Sequence, residues 1–240
     1  MIKITYKLIL LLGLLAMTVT SFAASEAEYG KVSKAWTLHA DGSQEYRSSM
    51  ELTLFTHTAM NSTYGESFIV YNPDFQTLKI HSSYTRQKDG TIVKTPDNAF
   101  VEVLPRFAAD APAYNQLKEM VVVHTGLELG ATIYLDYSII TKPGYYPAMD
   151  INERLQETSP VKECKVSISV PENSPLAWQL LGSDAKASQA TRNGAKEVSW
   201  TLRNLPASSR EAFLPQNQDG IPRLIASSYS SNKEALSTLN

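Results

Sequence analysis

A two-residue rhythm of apolar and polar side chains runs through this sequence and restricts its fold more than any other feature. In "KEVSWTLRNL", Val198, Trp200 and Leu202 alternate with Glu197, Ser199, Thr201 and Arg203. In "ATIYLDYSII", Ala131, Ile133, Leu135, Tyr137 and Ile139 alternate with Thr132, Tyr134, Asp136 and Ser138. In "MELTLF", Met50, Leu52 and Leu54 do the same against Glu51 and Thr53. Successive side chains of a strand point to opposite faces, so each pattern reads as a strand with one buried and one wet face. Asn193-Gly194 and Asp89-Gly90 suit two-residue hairpin turns, whose central positions take positive φ. Asp41-Gly42, Asn72-Pro73-Asp74 and Pro143-Gly144 mark further turns, and Pro96, with no N–H for a ladder, closes the strand after Asp89-Gly90. The expectation is an all-β fold over residues 24–206: an enlarged immunoglobulin-like β-sandwich with hairpin connections and minor helical turns. "LAWQLLG" fits helix and strand equally, and "APAYNQLKEM" suits a short helical turn. The Ser-rich stretch 207–240 reads as a linker-like or partly disordered tail.

The first residues set the expected compartment. Lys3 and Lys7 precede an apolar run from Leu8 to Met17, followed by Thr18, Thr20 and Ser21 and then Phe22-Ala23-Ala24. A charged, then apolar, then small-residue order is that of a secretory signal peptide, here residues 1–23 with cleavage after Ala23. The run falls short of the about 20 apolar residues that cross a bilayer. The chain is therefore expected to be exported to the periplasm or beyond the cell in a bacterial envelope, with no transmembrane span after cleavage. Cleavage takes two lysines from a 240-residue chain with 22 basic and 24 acidic side chains, leaving 217 residues and a net charge of −4. That balance carries no electrostatic footprint for nucleic acid. A single cysteine, Cys164, excludes an internal disulfide. In "CKVSISV" it shares parity with Val166, Ile168 and Val170, which assigns it to the core and not to catalysis.

Catalytic patterns are missing from the sequence. His39, His57 and His81 fall on the polar parity of their strands, and His124 follows Met120 and Val122 on an apolar parity, as a hydrogen-bonded histidine near a sheet margin would. No H-E-x-x-H, cysteine cluster, phosphate loop or G-x-S-x-G elbow occurs, so no metal, cofactor or catalytic residue is assigned. The reading is of a non-enzyme. The binding residues assigned are Tyr145 and Tyr146, set between prolines in "KPGYYPAMD". Two adjacent tyrosines cannot both face the core of one sheet, and an exposed ring stacks on sugars or on a partner surface.

Two longer segments carry a family likeness. "FIVYNPDFQTLKIHSSYTRQKDGTIVKTPDNAFVEVLP" holds an N-P-D-F-x-x-L-x-I stretch, a Lys-Asp-Gly hairpin and a T-P-D-N-A-F segment. "APAYNQLKEMVVVHTGLELGATIYLDYSI" adds an E-x-x-x-x-H-T-G-L-E-x-G stretch and a hydrophobic strand with tyrosine. Over roughly residues 30–206 the chain resembles the uncharacterised amino-terminal β-domain that precedes transglutaminase-like domains in exported bacterial proteins. The resemblance implies a β-sandwich, export, and a neighbouring papain-like domain that would hold any thiol chemistry. That neighbour would begin about where this chain ends, so the chain is read as the accessory part, either a short member or a truncated product. The function expected is a non-catalytic module that binds or positions a protein or peptide-like partner, a transglutaminase-like domain among them. A glycan-binding module using Tyr145 and Tyr146 is the alternative, and a thiol hydrolase or transglutaminase-like enzyme a third reading.

Overall fold

The structure, a computed structural model, describes residues 25–111, 113, 116–208 and 221–238. The signal-peptide reading falls on residues 1–23, outside the described residues. In chain order the strands are β1 (Ala27–Leu38), β2 (Gln44–Leu54), β3 (Glu66–Tyr71), β4 (Gln76–Arg86), β5 (Ile92–Lys94), β6 (Phe100–Val103) and β7 (Lys118–Val123). They continue as β8 (Thr132–Thr141), β9 (Asp150–Arg154), β10 (Val161–Pro171), β11 (Ala177–Leu181), β12 (Ser188–Arg192), β13 (Ala195–Leu205) and β14 (Arg223–Ser227), followed by a short helix α1 (Asn232–Ser237). The all-β sandwich class holds. One eight-stranded sheet in the order β12-β13-β10-β1-β2-β8-β4-β5 forms a layer, and two three-stranded sheets, β11-β14-β9 and β3-β7-β6, form the other.

The alternation read from the sequence decides which face is covered. Val32, Lys34 and Trp36 of β1 stand opposite Met50, Ser48 and Tyr46 of β2, and these opposite Leu135, Tyr137 and Ile139 of β8. A register shift between Tyr29 and Lys31 brings Tyr29 to the same face, opposite Leu52. Both small sheets lie on this inner face. Under β11-β14-β9, Cys164, Val166, Ile168, Val198 and Trp200 pack with Ile151, Leu155 and Leu224 in the main core. Under β3-β7-β6, Leu135 packs with Ile69 and Val122, joined by Leu78, Ile80 and Ile139. The outer face of the long sheet carries the polar set: Arg47 grips Asp136 through Nε (3.0 Å) and Nη2 (2.7 Å), and Thr53 bonds Thr132.

The Asn193-Gly194 reading matches in detail; at Asp89-Gly90 only Gly90 (φ 93°) is left-handed, and the turn closes from Gln87 to Thr91, longer than the two-residue hairpin expected. Asn193 (φ 52°) and Gly194 (φ 75°) turn β12 into β13. Asp89 accepts the N–H of Thr91 at 2.8 Å and joins β4 to β5, a purely local role. "LAWQLLG" resolves to strand β11. The helical turn expected in "APAYNQLKEM" falls partly on residues 112, 114 and 115, outside the described residues, and β7 has begun by Lys118. The stretch read as a tail differs most. Residues 209–220 are not described, but β14 is the middle strand of its sheet, with Leu224 fully buried. Its five residues alternate only weakly, and their strand state depends on β9 and β11, which arrive from elsewhere in the chain.

Candidate functional site

Where neither small sheet covers it, the inner face changes character. Between the apolar patches the floor is made of Lys34 on β1, Tyr46 and Ser48 on β2, and Tyr137 on β8. A cavity of about 300 Å3 opens over this floor, bounded by Tyr29, Tyr64 and the β3 residues from Glu66 to Ile69. A second, of about 510 Å3, follows over Trp36, Tyr46 and Ile139, bounded by Met149, Asp150 and Tyr146. Tyr46 lines both, and the two occupy successive positions along β1, β2 and β8, so they form one groove parallel to those strands. Among the described residues, β3 and β9 are each paired on one side only, and both border this groove.

Lys34 is the charge at its centre. Only 11% of its side chain is exposed, and Nζ meets Glu153 at 2.6 Å and Glu157 at 2.9 Å. Burial disfavours the ammonium, but the two carboxylates, Glu157 foremost, outweigh burial and hold the lysine above its ordinary pKa. The amine therefore stays protonated and serves as an anchor, not a nucleophile. Burial likewise raises the phenols of Tyr46 and Tyr137 above their usual range. Tyr64 closes one end, with its hydroxyl 2.8 Å from Thr158 and 2.6 Å from Ser159.

The two residues read as binding side chains stand at the other end. Tyr145 stacks on Phe75 with ring centroids 4.2 Å apart and leans on Tyr146 at 4.6 Å. Tyr146 is about half exposed and lines the larger cavity; Tyr145 is the better covered of the pair. Trp36 and Tyr46, 5.1 Å apart, continue the aromatic row inward. Lys34, Ser48, Glu153 and Glu157 went unnoticed in the sequence. A signal for the first existed: in "KVSKAWTL", Lys34 shares parity with Val32 and Trp36, a lysine on an inward face.

Groups with catalytic potential sit elsewhere or lack partners. Cys164 is 1% exposed within the core, and burial pushes its thiol up to about 11, so little thiolate forms near neutrality. Ser138 Oγ lies 2.7 Å from His81 Nε2 and bonds Glu45, but the serine is fully buried on the far side of the sheet from the groove. Ser67 Oγ, which lines the smaller cavity, is 2.8 Å from His124 Nε2. Burial lowers His124 to about 4, and its buried Nδ1 has no hydrogen-bond partner. A base that weak and unoriented activates a hydroxyl poorly. Among the described residues no group of three or more His, Cys, Asp or Glu side chains is placed to hold a metal, and no helix is long and apolar enough to cross a membrane.

His124 does give a measurable acid response. In the unfolded chain it takes a proton near pH 6.5, and in the folded chain only near 4. The unfolded state thus binds more protons between these values, and stability falls as pH drops through that window. The expected loss at pH 5 is roughly 2 kcal/mol. Urea unfolding at pH 7 and pH 5 checks this: His124→Gln should remove that loss, and an undiminished loss would move the response to other groups.

Comparison with known proteins adds the following. A family model described as "Domain of Unknown Function with solved-structure structure (DUF3857)" matches residues 40–209. No curated protein matches the chain. A solved structure called a "putative protease" from Parabacteroides distasonis ATCC 8503 is 86% identical, with a TM-score of 0.86 over 89% of this chain and 42% of that one. The chain thus spans less than half the length of that relative. The M1 zinc metallopeptidase E323A mutant from Deinococcus radiodurans aligns over 84% of this chain and 42% of that one, at 12% identity and a TM-score of 0.38.

Proposed function

Because the chain belongs to the DUF3857 family, whose name carries no activity, we propose from its geometry that it is a non-catalytic module that holds an extended peptide-like segment of a partner protein. The observation that carries this is the groove bordered by the one-sided strands β3 and β9 over a polar floor. An incoming strand gains main-chain hydrogen bonds at such an edge, and side-chain pockets then select the sequence. From Tyr29 to Trp36 the floor is about 20 Å long at the rise of a β-strand, enough for six or seven residues. The proposal places the module in the exported fraction, on the order of residues in its first 24 positions. It also includes the role beside a transglutaminase-like domain that the sequence resemblance implies.

Selection of displayed random heptapeptides on the purified chain tests the reading. Ser48→Trp fills the floor opposite Lys34 and is expected to weaken selected peptides by about tenfold or more, while Tyr145→Ala with Tyr146→Ala has a smaller effect. Failure to select any peptide, or binding indifferent to Ser48→Trp, would overturn it. Calorimetry against polysaccharides addresses the glycan alternative, for which the exposed ring of Tyr146 speaks: sugar binding lost in the double tyrosine variant would replace the peptide reading.

A further inference from the structure

The sheet β3-β7-β6 has a second face that nothing in the described chain covers. Its inner face, with Ile69 and Val122, belongs to the core. On its outer face Phe68, Val121 and Val101 stand in one row across the three strands. Val103 lies beside them on the same parity, and Leu104 and Phe107, both exposed, follow β6 in the chain. Phe68 is 58% exposed and Phe107 65%. The sequence of β7 tells the same story. Strands of the long sheet alternate because their outer face is wet, whereas Val121-Val122-Val123 is apolar on both parities, as in a strand covered on both faces. Contiguous exposed apolar surface of this kind marks an interaction site. Glu66 and Glu119 border the row on the same outer parity.

The occupant follows from the length of the relative. The Parabacteroides distasonis protein, 86% identical over the shared part, has more than half of its chain outside the match. We propose that the outer face of β3-β7-β6 seats a further domain of the same polypeptide in proteins built to that length. The seated surface is apolar at its centre, with basic side chains placed to meet Glu66 and Glu119. The groove opens along the same edge strand, so Glu66 and Phe68 stand at its rim as well, while Val121, Val101 and Val103 carry the row away from it.

Phe68→Asp separates docking from folding. In this chain the substitution is expected to leave the melting temperature unchanged, since Phe68 is exposed. In the full-length relative, the same change at the matched position is expected to raise the rate of proteolytic cleavage between domains by about tenfold, because cleavage tracks the undocked population. Unchanged cleavage in the full-length protein would overturn the proposal. So would a large loss of stability in this chain, which would make Phe68 a folding residue. A dimer of this chain dissolved by Phe68→Asp in light scattering would assign the face to a second copy, and overturn it also.

Discussion

Ending the chain after Pro206 is expected to abolish cooperative unfolding. The cut removes β14, the strand between β9 and β11, and both ladders of that small sheet go with it. Leu224 and Ala226 leave the core, and Ile151, Leu155 and Trp200 lose their cover. Each large apolar side chain returned to water costs about 1.5–3 kcal/mol, so several together match the whole stability of about 5–15 kcal/mol of an ordinary domain. A milder form of the experiment is Leu224→Ala, expected to cost about 2–5 kcal/mol and to lower the melting temperature by about 5–15 °C. Thermal melts followed by circular dichroism read both. A truncated chain that melts with the midpoint of the whole would mean that β14 is an ornament on a core complete without it.

Removing the charge at the groove centre should be nearly as costly. Lys34→Ala leaves Glu153 and Glu157 close together with no cation between them. Breaking a buried pair costs about 3–5 kcal/mol. Because 31% and 24% of the two glutamate side chains reach solvent, the lower end of that range is expected here. Adding Glu153→Gln and Glu157→Gln to Lys34→Ala should recover most of the loss, which a purely steric role for the lysine would not allow. The same cluster predicts an alkaline limb. Lys34, Tyr46 and Tyr137 all have folded pKa values above their ordinary ones. The folded chain therefore keeps protons that the unfolded chain gives up from about pH 10, and stability falls as pH rises beyond that point. Denaturant titrations between pH 9 and pH 11 (about one unit either side of the ordinary tyrosine value) should show that fall, flatter when Tyr46 and Tyr137 are both changed to Phe.

How far the sequence reached depended on the range of the interaction involved. β8 and β13 were legible because ten or so residues of strict alternation outweigh any competing period. Asn193-Gly194 was legible because positive φ is a local demand. Cys164 could be placed inside by parity alone. β14 was not legible, since Arg223–Ser227 is a strand only through partners 42 to 77 residues earlier. The groove was half legible. Tyr145 and Tyr146 stood out as a pair, but the stacking of Tyr145 on Phe75 joins residues 70 positions apart, so which ring would be covered could not be read. Lys34 was visible by parity, yet its meaning required Glu153 and Glu157, which no local pattern ties to it.

The position of the first strand bears on how such a chain is made. β1 lies inside the long sheet and pairs in parallel with β10, Tyr29 opposite Val161. β10 in turn is flanked by β13, which closes near Leu205. A ribosome adding about 5–20 residues per second needs roughly ten seconds or more to supply what β1 waits for. Throughout that interval the nascent sheet has a bare flank in its middle, open to unwanted strand pairing until β10 and β13 have been synthesised.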